Sequence, residues 1–206
     1  AHRHGARALL WESLLGRLDQ ALPNWQRAWL LEPKRTVALD AARKIYASLG
    51  DEAMVIRLYQ AELDVLGDMG NNARRSELRL AMGRLHVKLG DKDKAALCLE
   101  EALRLAPSSS ETRETLANLY ASRAYSDDIK MQQRAASLFV DLGQDQLRRG
   151  SFDDAIRYLR RALGVDPYSK SAAADLEKAL IESERWDELD RLYRHLHGIV
   201  RADAER

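Results

Sequence analysis

Two phenylalanines, four prolines and one cysteine are all that the 206-residue sequence holds of each, and each scarcity closes off a class of structure. The lone cysteine, Cys98, excludes an intrachain disulfide, and its place on the apolar face of a predicted helix makes it a small core residue rather than a nucleophile. Aromatic residues make up only 6% of the chain, and no β-branched or aromatic run alternates with period two, so strand signals are missing. No run of about 18 apolar residues occurs, so no membrane-spanning helix is predicted, and the start lacks a charged-then-apolar leader pattern. Charge of one sign is missing too: 33 Lys and Arg face 32 Asp and Glu, a net charge of +1. Bulk electrostatics therefore gives no case for nucleic acid or an anionic membrane surface as partner.

Catalytic motifs are equally scarce. There is no GxxxxGK[ST] phosphate loop, no GxGxxG, no HExxH, no CxxC and no GxSxG, so the chain reads as non-enzymatic. The DKDK run at Asp91 lacks the glycine and distal glutamate of a calcium loop and reads as a turn between helices. His2 with His4, and His195 with His197, are two residues apart, which on a helix points them to different faces; no metal and no cofactor is expected.

What remains is helix. In RRGSFDDAIRYLRRALGVDPYS, Phe152, Ala155, Ile156, Leu159, Ala162 and Leu163 line one face at helical spacing, with charges opposite. Ser151 with Asp154 has the form of a capping box, and Gly150 and Pro167 bracket the element. Similar helices close at Pro33 and Pro107, and Gly16 and Gly50 are 34 residues apart, so the chain is repetitive.

These repeats resemble the tetratricopeptide repeat (TPR) family, with its aromatic, Leu-Gly and Tyr on a first helix and Ala, aromatic, Ala and Pro on a second. Phe139, Leu142, Gly143, Ala155, Leu159, Ala162 and Pro167 stand at the signature offsets, Gln146 replacing the usual Tyr. Met82, Gly83, Ala95, Leu99, Ala102 and Pro107 repeat the pattern, with Arg79 and His86 at its aromatic positions. Weaker units keep Ala21, Trp25, Ala28 and Pro33, then Tyr46 and Tyr59, then Leu180, Trp186 and Tyr193. The expectation is an all-α superhelix forming a single domain, with units near 2–35, 36–75, 76–109, 110–135, 136–169 and 170–203. The stretch LGDMGNNARR reads as a loop, and the irregular fourth unit is expected to run its second helix into a long or kinked helix of the next. The start at Ala1 inside a helical pattern reads as a piece of something longer, the excess of arginine over lysine suggests a bacterial source, and the cytoplasm is the expected compartment, with the periplasm as the alternative.

In this family the first helices of successive units line a concave groove that takes peptides, and the resemblance implies the same here. By offset, Lys44, Arg84, Asn118, Gln144 and Lys178 form a polar ladder, extended by Lys88 and Arg148. Such donors suit a protein or peptide partner carrying carboxylates, because charge-assisted hydrogen bonds exceed neutral ones. Asp40, Glu77, Asp141 and Asp175 run beside the ladder and favour mixed charge. Ala6 and Leu10 occupy the offsets at which chaperone-tail binders clamp a terminal carboxylate, which argues against that specificity. The rival reading is a structural segment that self-associates through exposed end units and the tryptophans Trp11 and Trp29.

Overall fold

The structure, a computed structural model, describes residues 37–67 and 71–204 together with Pro23, Asn24, Arg27 and Leu31. Expectations attached to Ala6, Leu10, Trp11, Ala21, Trp25, Ala28, Trp29 and Pro33 lie outside the described residues. Among the described residues the chain forms nine α-helices and one 3-10 turn, with no strand, so the all-α expectation holds.

The chain divides into two compact units, Ala1–Pro107 and Ser108–Arg206. The first contains α1 (Val37–Ser48), α2 (Glu52–Leu66), α3 (Asn72–Lys88) and α4 (Lys92–Leu105). Each of these helices packs on the next. The second contains α5 (Ser110–Tyr120), the 3-10 turn Arg123–Tyr125, α6 (Ile129–Arg148), α7 (Phe152–Val165), α8 (Lys170–Glu182) and α9 (Trp186–Ala204). Here α6 packs on α5, α7 and α8, and α9 rests on α8.

Two hairpins cross at their glycines. A Cβ built on Gly83 would stand 2.7 Å from the Leu99 side chain, and one on Gly143 2.6 Å from Leu159. The absent side chain is therefore what lets α3 meet α4 and α6 meet α7 so closely. Leu99, Ala95 and Ala102 are fully buried in one hairpin, as are Phe139, Leu159, Ala155 and Ala162 in the other. Cys98 joins Leu63, Leu78 and Met82 in the first unit's core, and burial pushes its thiol pKa up, which suits its reading as a packing residue.

The turns inside the hairpins share one geometry. Gly50, Gly90 and Gly150 all have positive φ, and the following N–H reaches back to Tyr46 O, His86 O and Gln146 O at 2.9, 2.9 and 3.0 Å. This is the paired-carbonyl closure that glycine permits at a helix end. The last turn repeats it with Arg185 N to Leu180 O at 2.9 Å, but Glu184 takes the positive φ of 56°.

Three sequence expectations are refined. Ser151 makes no side-chain cap bond, so Gly150 and the acidic first turn of α7 replace a capping box. The loop expected over LGDMGNNARR is shorter, because Asn71 accepts a hydrogen bond from Ala73 N at 2.9 Å and starts α3 at once. The long helix expected beyond the fourth unit is α6, one 20-residue helix started by Asp128. Helix α5 then has no second helix of its own. Its Glu114 and Asn118 instead accept hydrogen bonds from Tyr158 and Arg161 of α7, so α5 lies beside α7 in the layer of second helices.

Candidate functional site

Three of the residues singled out by sequence offset meet in one place. Gln144, Arg148 and Lys178 line a cleft of about 190 Å³ between α6 and α8, with Leu147, Asp175 and Glu182 completing it. The two helices converge because each is the first helix of a hairpin and packs directly on the other. Gln144 lies one residue after the close-crossing Gly143, so the crossing that buries Leu142 also turns Gln144 toward α8. Its Nε2 donates to Asp175 Oδ2 at 2.7 Å.

Every charge in the cleft already has a neighbour. Arg148 pairs with Asp145, which also receives Arg113 at 2.5 Å, and Lys178 Nζ stands 3.8 Å from Glu182 Oε1. Arg148 and Lys178 are exposed, and exposed pairs of this kind contribute about 0–1 kcal/mol. An incoming carboxylate can therefore take over either cation at small cost. Leu147 adds an apolar contact between the polar groups. The arrangement can bind a short segment of mixed charge through a planar Arg fork, an ammonium and an amide.

The remaining ladder residues sit elsewhere. Asn118 is not in this cleft; it accepts from Arg161, whose guanidinium also lies 4.3 Å over the Phe139 ring. Its helix occupies the second-helix layer, which is why the offset misplaces it. Lys44, Arg84 and Lys88 belong to the first unit and are exposed there. Lys88 pairs with Glu52 of α2 and holds that carboxyl below its usual pKa. Asp40 and Glu77, expected beside the ladder, are engaged by Arg43 and Arg74.

The first unit also holds a charged cluster that the sequence reading missed. Arg43 and Glu62, 5% and 1% exposed, pair at 2.7 Å, Arg74 Nε donates to Glu62 at 2.8 Å, and Arg43 stacks on Tyr59 at 4.4 Å. It ties α1, α2 and α3 together through buried or part-buried, mutually paired groups, so it is a structural clasp. Its only sequence signal is an Arg at the offset held by Gly83 and Gly143 in the neighbouring hairpins. Leu147 and Glu182 were missed as well: Leu147 is an apolar residue between polar ladder positions, and Glu182 carries an acid at the offset where Lys88 and Arg148 carry cations. Among the described residues no group of three His, Cys, Asp or Glu could hold a metal, and no helix is long and apolar enough to cross a membrane.

Comparison with known proteins places these hairpins. Residues 76–119 and 140–185 each match family models of the tetratricopeptide repeat. No curated protein matches the sequence. Among solved structures, YrrB, a TPR protein with an unusual peptide-binding site, is 19% identical, with 82% of this chain and 88% of that chain covered and a TM-score of 0.46. The TPR2AB domain of yeast Sti1 in complex with pHSP90 is 15% identical, with coverages of 95% and 88% and a TM-score of 0.42. MamA from Desulfovibrio magneticus RS-1 is 13% identical, with coverages of 100% and 96% and a TM-score of 0.46. With signature glycines at the hairpin crossings, residues 76–119 and 140–185 of this chain are tetratricopeptide repeats.

Proposed function

We propose that this TPR protein is a non-catalytic interaction scaffold that holds a peptide segment of another protein in the cleft between α6 and α8. The observation that carries the reading is the convergence of Gln144, Arg148 and Lys178 on one cavity. Arg148 and Lys178 receive carboxylates of the segment, Asp175 and Glu182 receive its cationic or amide groups, and Leu147 supports an aliphatic side chain. In the first unit Lys44, Arg84 and Lys88 extend the same preference for acidic groups. No step of the reading needs a cofactor or a titrating acid–base pair.

The test is capture of partners from lysate of the source organism by the parent protein and by a folded Arg148→Glu, Lys178→Glu variant, followed by titration of the captured segment. Partner binding should weaken by about tenfold or more, since each charge-assisted hydrogen bond contributes roughly 1.5–3 kcal/mol. Equal binding by both proteins would remove the cleft from the reading. Extending the variant with Lys44→Glu, Arg84→Glu and Lys88→Glu then reports whether the first unit takes part.

A further inference from the structure

A second cleft lies on the opposite layer of the second unit, between α7, α8 and α9, with a volume of about 430 Å³. Its origin can be read from register. Where α7 meets α5, the seam is filled by Tyr158, whose hydroxyl donates to Glu114 at 3.0 Å, and by Arg161, which donates to Asn118. Thirty-four residues on, where α9 meets α7, the same positions hold the shorter Leu192 and His195. Opposite them stands Gly164, where an added Cβ would meet nothing within 4 Å. The seam is left open for want of side-chain volume.

The hairpin that carries it is also spread. Gly83 and Gly143 are followed sixteen residues later by the leucines they touch, but the corresponding pair in α8 and α9 is Glu177 and Tyr193, joined by a 2.6 Å hydrogen bond. A glutamate at the crossing holds α9 away from α8, and Tyr193 stays 46% exposed. The equivalent Arg43 and Tyr59 of the first unit are closed over by Glu62 and Arg74; no such pair fills the last hairpin among the described residues.

The cleft has an apolar floor of Leu163, Leu176, Leu180 and Leu192 and a cationic lip. Arg160 is engaged by Glu188, which also faces Arg185 at 3.7 Å, whereas Arg191 and His195 have no ion-pair or hydrogen-bond partner among the described residues. We propose that this cleft is a second docking site, which takes an acidic segment of a partner protein by seating one leucine or phenylalanine over the leucine floor and an adjacent Asp or Glu on Arg191. The charge of the lip selects the carboxylate, and the volume admits one large apolar side chain.

The test uses ¹⁵N-labelled protein titrated with N-acetyl-Asp-Leu-Phe-Glu amide and, separately, with N-acetyl-Lys-Leu-Phe-Lys amide. The acidic peptide should shift the amides of Gly164, Leu192 and His195 and bind at least fivefold more tightly than the basic one. Gly164→Leu, which fills the open space, should abolish those shifts, and Arg191→Glu should reverse the preference between the two peptides. Circular dichroism verifies helicity; if Gly164→Leu loses it, Arg191→Glu decides alone, because Arg191 is exposed. Shifts confined to Gln144, Arg148 and Lys178, equal affinity for both peptides, persistence in Gly164→Leu, or a dimer in sedimentation that covers the cleft would each overturn the proposal.

Discussion

His86 shows what one substitution in a repeat signature does. It stands where the family keeps a tyrosine, is buried to 9% exposure, and its Nδ1 has no hydrogen-bond partner; Asp91 Oδ2 is 4.0 Å away. Burial lowers its pKa, and the Asp91 charge offsets this only in part. The folded protein therefore keeps His86 neutral at a pH where the unfolded chain binds a proton. Stability attributable to it is complete above the unfolded value near 6.5 and is lost as pH falls from there through the depressed folded value. Urea titrations at pH 7.5 and 5.5 should show the parent losing stability and His86→Phe losing measurably less over that interval. An identical pH dependence in both proteins would remove His86 as the source. Asp91 adds loss at lower pH, since its bond from Lys94 keeps its carboxyl below the usual range.

At the scale of elements, the hairpins were legible where close crossing demanded small residues and opaque where charge replaced them. Gly83, Ala95, Gly143 and Ala155 announce the crossings because only Gly or Ala fits the space. The long α6 was legible because no proline interrupts Ile129–Arg148 and its one glycine, Gly143, is the small residue that the crossing needs. The role of α5 was not, since an amphipathic helix shows a face but not the neighbour that covers it, and Asn118 was misplaced with it. Nor was the clasp of Arg43, Glu62 and Arg74, because buried ion pairs look like surface charges until three helices bring them together. The turn before α9 departs from its siblings in one residue. Glu184 holds a left-handed conformation that costs a residue with a Cβ roughly 1–2 kcal/mol, whereas Gly50, Gly90 and Gly150 hold it freely. Replacing Glu184 by Gly should raise the denaturation midpoint, with a gain of up to about 1 kcal/mol after the added freedom of the unfolded chain is counted. Gly90→Ala should lower it by a similar amount, and the opposite signs are the check.

At the scale of the molecule, the chain divides into two compact units, and stability in stacked repeats is close to a sum of local and nearest-neighbour terms. The second unit is the better equipped to stand alone. It contains the α6–α7 crossing with Phe139, Leu142, Leu159 and Ala162 fully or almost fully buried, flanked by α5 on one side and α8 on the other. It also contains both clefts, so binding and folding can be tested on the same fragment. Residues 108–206 made alone should be helical by circular dichroism and melt in one cooperative step. If the fragment also binds the segment held between α6 and α8 as the full chain does, recognition resides there and Lys44, Arg84 and Lys88 are accessory. A fragment that folds but binds at least tenfold more weakly places part of the recognition surface in residues 1–107, and the same loss in the full chain carrying Lys44→Glu, Arg84→Glu and Lys88→Glu assigns it to those three charges.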